Sequence, residues 1–209
     1  ERRLICTWRA VSYLHEGDFE AAFDEIQTRY DIAAETNDLG SMSADLNLMG
    51  GIHLRAGRAD EAADNYRAQI EMLRSSDVTD EVKEAATRNQ KYDLTRVALW
   101  KGDLETATEL AGAYRDDVEI HNVRFEVQRT HELDAMIAIA EGDMETAIRH
   151  LERANQQNPE IWLLKARAYA AMGDTEGARL ACEEIINFNQ LSLNLAFVRN
   201  TARELLESL

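Results

Sequence analysis

The chain has 209 residues, 45% hydrophobic, with one proline and ten glycines. That composition can build a core, and the scarcity of turn-formers favours long helices. No apolar run is long enough to span a bilayer, so no direct membrane insertion is expected. The formal net charge of −16 argues against nucleic acid as a partner, because such binding rests on neutralising phosphates.

Apart from Lys83, Lys91, Lys101 and Lys165, the basic residues are all arginine. The acidic excess reads first as a solvated surface and second as adaptation to a salty cytoplasm. The compartment stays open, with the cytoplasm slightly favoured. No signal-peptide pattern leads the chain. It begins without Met inside a helical pattern, Leu4 to Tyr13, as expected of a chain whose targeting segment has been trimmed.

In chain order, the first helix is predicted from Arg3 to Glu16 and its partner from Asp18 to Thr36. A turn follows at Asn37-Asp38-Leu39-Gly40-Ser41. The second pair spans Met42 to Ala56 and Ala59 to Arg74. Ser75-Ser76-Asp77 breaks it, and Thr79 or Asp80 can cap the next helix. The third pair is Asp80 to Lys101 and Asp103 to Arg115. The fourth is Val118 to Glu141 and Asp143 to Gln156. Asn158-Pro159 opens the fifth, with Pro at a tolerated first-turn position. That pair covers Pro159 to Met172 and Asp174 to Asn187. A turn is predicted from Asn189 to Ser192, then a last helix from Leu193 to Leu206. Its Asn194, Arg199, Asn200, Arg203, Glu204 and Glu207 can form the polar outer face of a cap. No linker or low-complexity segment divides the chain.

One six-residue pattern joins the helices of every pair. It reads Gly17-Asp18-Phe19-Glu20-Ala21-Ala22, then recurs from Gly57, Gly102, Gly142 and Gly173. Gly accepts the left-handed backbone that closes a helix. Asp, present after four of the five glycines, caps the next helix, and the Glu that follows suits its positive end. The Ala five residues after each Gly lets two helices approach. Beyond it, apolar residues recur at helical spacing, as in Met144, Ala147, Ile148, Leu151 and Ala154. No single pair can bury its own apolar stripe, so five of them imply an all-α solenoid of stacked helix pairs.

These residues resemble the tetratricopeptide repeat, a helix pair of about 34 residues. The fifth copy fits best, with Trp162, Ala166, Tyr169, Gly173 and Ala178 on the family pattern and Pro159 where the preceding repeat ends. The first keeps Ala10, Tyr13, Gly17 and Ala22. The second keeps Gly50, Gly57, Ala62 and Tyr66. The fourth keeps Ala135, Gly142, Ala147 and Ala154. The third is weakest, with Thr95 and Ala98. Gly-to-Gly spacings of 40, 45, 40 and 31 mark a long-repeat variant. The resemblance implies a right-handed α-solenoid, with repeats at 3–37, 41–76, 79–117, 118–157 and 158–191 and a capping helix at 192–209. It also implies a protein- or peptide-binding scaffold using a concave face lined by the first helix of each pair. A sensor for a small ligand or signal peptide, and an architectural spacer, are the alternatives; self-association stays open.

Mapping inward from each Gly places Thr7, Val11, Asn47, Gly51, Asn89, Tyr92, Arg96, Arg129, Glu132 and Arg167 on that face. The family's carboxylate clamp, a Lys and an Asn one turn apart, is missing: Thr7 and Val11, then Asn47 and Gly51, stand there. Arg96, Arg129 and Arg167 are candidates to grip a carboxylate-bearing peptide, or else pair with neighbours such as Glu132. Tyr92 would offer a flat apolar surface and Asn89 a backbone-directed hydrogen bond. Gly50 fits a close helix contact, and Gly51 leaves room for a ligand.

Nothing points to catalysis or a cofactor. No phosphate-binding glycine loop, His-Glu-x-x-His or Cys-x-x-Cys occurs. Asp116-Asp117 and Glu183-Glu184 are adjacent and so point to different helix faces. His121 and His131 are expected on different faces of one helix, so no metal site is assigned. Cys6 and Cys182 are expected far apart, as buried packing residues.

Overall fold

In the computed structural model, residues 1–188 and 192–209 are described, and they form eleven helices with no strand among the described residues. The expected turn beginning at Asn189 lies largely outside them. Two compact units divide at the Gly102-Asp103 turn: Glu1–Asp103 and Leu104–Leu209.

The first unit holds α1 (Arg2–Glu16), α2 (Phe19–Ala34), α3 (Leu39–Arg55), α4 (Ala59–Arg74) and α5 (Asp80–Trp100). Each helix packs on the next in the chain. Leu54, Ala59, Ala62, Ala63, Tyr66 and Val97 form one core cluster, and Ile70, Leu73 and Ala86 another.

The second unit holds α6 (Leu104–His121), α7 (Arg124–Glu141), α8 (Met144–Leu151), α9 (Pro159–Ala171), α10 (Thr175–Asn187) and α11 (Leu193–Ser208). Its helices also pack in sequence, and α11 closes on both α10 and α9. Leu195, Val198 and Ala202 of α11 join Leu163 and Ile185 in a shared core. Burying an aliphatic side chain of this size contributes about 1.5–3 kcal/mol, enough to hold a terminal helix with no partner after it. Asn194, Arg203, Glu204 and Glu207 are exposed, as a cap requires. Arg199 instead turns back and donates to the Phe188 carbonyl at 2.7 Å.

The repeated turn works as its residues dictate. All five glycines have positive φ, from 74° at Gly102 to 84° at Gly142. The carboxylates of Asp18, Asp143 and Asp174 accept from the backbone N–H three residues on, at 2.9–3.0 Å. Asp38 caps α3 in the same way. Ala22, Ala62, Ala107, Ala147 and Ala178 are all fully buried.

Besides α3, which starts at Leu39 inside the expected Asn37–Ser41 turn because Asp38 caps it there, two boundaries differ from expectation. The helix expected from Val118 to Glu141 is two helices, because α6 runs on to His121 and Asn122 turns left-handed at φ 48°. Asn tolerates that conformation, since its short polar side chain bonds locally. The second is α8, which ends at Leu151 rather than near Gln156. The Gln156 amide donates to the carbonyls of Leu151 and Ala154, at 2.7 and 2.9 Å, doing for the helix end what another turn would have done.

Candidate functional site

In the first unit, the expected binding face is carried by α3 and α5. Asn47 is half-buried, and its amide nitrogen donates to Gln69 on α4 at 3.2 Å and to Asp93 on α5 at 3.0 Å. The side chain therefore ties three helices together and sits at a fixed angle. One turn further along α3, a Cβ added at Gly51 would meet no atom within 4 Å. Its neighbour Gly50 is the opposite case: a Cβ there would lie 2.5 Å from the Tyr66 ring. The two adjacent glycines thus differ, one set against a neighbouring helix and one facing open space.

On α5, Asn89 and Arg96 are half-buried. Tyr92 is buried, at 5% exposure, so its ring is part of the packing and offers no platform to a ligand. The Arg96 guanidinium lies 5.5 Å from the centre of that ring. Thr7 and Val11 on α1 are likewise occupied: Val11 is buried, and the Thr7 hydroxyl accepts from Arg29 at 3.0 Å.

Beside Thr7 is an ionic cluster that sequence reading did not find. Asp45 on α3 is fully buried, and its two oxygens meet Arg3 of α1 at 3.0 Å and Arg29 of α2 at 2.8 Å. Arg3 also donates to the Arg29 carbonyl at 2.7 Å. Burial pushes the Asp45 carboxyl above its ordinary value against the pull of Arg29 and Arg3. The cluster fastens the first three helices and faces inward, so it is a structural element.

Between the turns of the first two pairs, Gly17, Asp18, Phe19, Glu20, Arg55, Ala56 and Arg58 line an open cleft of about 380 Å³. Arg58 reaches across it to Glu20, and its Nε donates to His53 Nδ1 at 2.8 Å. Only a neutral imidazole can accept there. Burial first, then the nearby Arg58 charge, lower the His53 pKa.

In the second unit, Arg129 on α7 is half-buried with its guanidinium 4.4 Å from the centre of the Phe125 ring, and Arg167 on α9 is exposed. Glu132 is buried, at 2% exposure, so it lines no groove. Lys165 is buried too; its ammonium donates to Gln156 at 2.6 Å and stands 4.3 Å from the Trp162 ring. Burial lowers its pKa.

His131 also departs from expectation, standing on a different helix from His121 and opposite His150 of α8, with Asp134 one turn along. Cys6 and Cys182 are buried free thiols, and burial raises both pKa values. No helix is long and apolar enough to cross a membrane among the described residues.

Residues 138–195 match the family model of the tetratricopeptide repeat. The matched stretch runs from the end of α7 through α8, α9 and α10 into α11. An assembly chaperone of RpL4 (Acl4) is a similar solved structure, at 18% sequence identity over 96% of this chain and 95% of that chain, with a TM-score of 0.32. No curated protein matches. The tetratricopeptide match, in a chain whose helices pack in sequence within each unit, supports a helical-repeat scaffold with protein partners.

Proposed function

We propose that this chain binds a protein or peptide along faces built by the first helices of its pairs. Supporting this most directly is the open space over Gly51, one helical turn from the braced Asn47. A glycine inside a helix costs about 1 kcal/mol relative to Ala. Gly50 has a packing reason for that cost in the Tyr66 ring, whereas Gly51 has none within the fold. A ligand backbone approaching α3 would supply one.

Around that space, the Asn47 amide oxygen would accept a backbone N–H from an extended segment, its nitrogen being committed to Gln69 and Asp93. Asn89 and Arg96 of α5 would contact the same segment. In the second unit, Arg129 and Arg167 would take carboxylates, since a guanidinium matches a carboxylate with two parallel bonds. Arg129 lies against Phe125, which limits the freedom it would lose on binding.

Random-peptide display against the immobilised chain tests this. Retained peptides are expected to be enriched in Asp and Glu. Gly51→Trp fills the open space and should abolish their retention, with its helical circular dichroism unchanged. Arg129→Ala with Arg167→Ala should weaken acidic peptides more than neutral ones. Retention equal to that of wild type in folded Gly51→Trp would overturn the reading.

A further inference from the structure

We infer that His131, Asp134 and His150 form a binding site for a zinc ion, one that clamps α7 to α8. The two imidazoles approach through Nδ1 atoms 3.2 Å apart, and Asp134 Oδ2 lies 3.5 Å from His150 Nδ1. One ligand atom from each of the three residues falls within 4.8 Å of the other two.

These spacings can be tested against metal geometry. Zinc holds imidazole nitrogen and carboxylate oxygen at about 2.0–2.2 Å. With such bonds, the N···N spacing closes an angle of about 103° at the ion, and the O···N spacing one of about 115°. Both lie near the tetrahedral value. The third side of the triangle joins His131 and Asp134, which share one helix a turn apart and whose ligand atoms lie within 4.8 Å.

The surroundings suit an ion that enters from solvent. The side chains of Asp134 and His150 are 17% and 27% exposed, so water can fill a fourth position. Arg115 of α6 donates to Asp134 Oδ1, which orients the carboxylate and leaves Oδ2 toward the histidines. An outer partner of this kind is how proteins fix metal-binding carboxylates. Arg115 and Arg153 also bring positive charge near the site, so affinity should fall short of that of a sealed structural zinc site. Two imidazoles and one carboxylate favour a late first-row dication over magnesium or calcium. Without an ion, the same imidazole spacing is a hydrogen bond with one Nδ1 protonated.

The test is titration of the whole chain with zinc chloride, followed by calorimetry and by thermal melting. Wild type should take up a single equivalent, and its melting temperature should rise. Cobalt(II) in place of zinc should give the intense visible absorption of tetrahedral coordination. Removing an outer partner costs about 10–100-fold in affinity, so loss of a direct ligand should cost at least about 100-fold. His131→Gln, Asp134→Asn and His150→Gln should each show that loss and lack the cobalt band. His121→Gln, on the exposed end of α6, should bind like wild type. The proposal is overturned if wild type shows no stoichiometric uptake. It is equally overturned if the folded His131→Gln, His150→Gln double variant binds zinc as tightly, or if calcium or magnesium competes at equal concentration.

Discussion

Gly50 and Gly51 are adjacent on α3, and replacing each by Ala should move stability in opposite directions. Both changes gain about 1 kcal/mol of helix propensity. At Gly51 nothing opposes that gain, since no atom lies within 4 Å of the new Cβ. At Gly50 the methyl would lie 2.5–2.8 Å from three ring atoms of Tyr66, inside van der Waals contact. Tyr66 is 1% exposed and packed among Leu54, Ala62 and Val97, so its ring has little room to withdraw. Overpacking of this kind typically costs about 1–3 kcal/mol, which outweighs the propensity gain. Gly51→Ala should therefore stabilise by up to about 1 kcal/mol, and Gly50→Ala should destabilise by about 1 kcal/mol. Urea unfolding followed by helical circular dichroism measures both. Equal stabilisation in the two variants would refute the assigned contact between α3 and Tyr66.

Asp45→Ala should cost about 3–5 kcal/mol, because it strands two arginines around a buried site; adding Arg29→Met should recover part of that, and strictly additive losses would count against the cluster. His53 has a pKa below its ordinary 6.5. The unfolded chain therefore takes up that proton first, and stability should fall as pH drops through 6.5 toward the folded value. His53→Gln keeps an acceptor for Arg58 without titrating, so its stability should depend less on pH over that range; an unchanged profile would remove His53 as the cause. With a net charge of −16, stability should rise as salt is added from low ionic strength, through screening of carboxylate repulsion. A flat or falling melting temperature would dismiss the salt-adaptation reading.

The turns were legible because their physics is local. A left-handed Gly, a capping Asp and a buried Ala all act within six residues, and each holds at Gly17, Gly142 and Gly173. Helical periodicity likewise announced the apolar stripes, since one face of each helix must be covered. The orientation of a residue near the edge of a stripe was not legible. Each step along a helix turns it by about 100°, and mapping from a distant Gly placed Tyr92 in a groove when it lies in the core. The break at Asn122 was hidden for a related reason: Asn allows a left-handed residue without demanding one. Tertiary structure alone decided the two charged clusters. Arg3, Arg29 and Asp45 come from three helices, and His150 stands 19 residues beyond His131. No short-range pattern marks such residues, because only the packing of one helix on another brings their side chains within bonding distance.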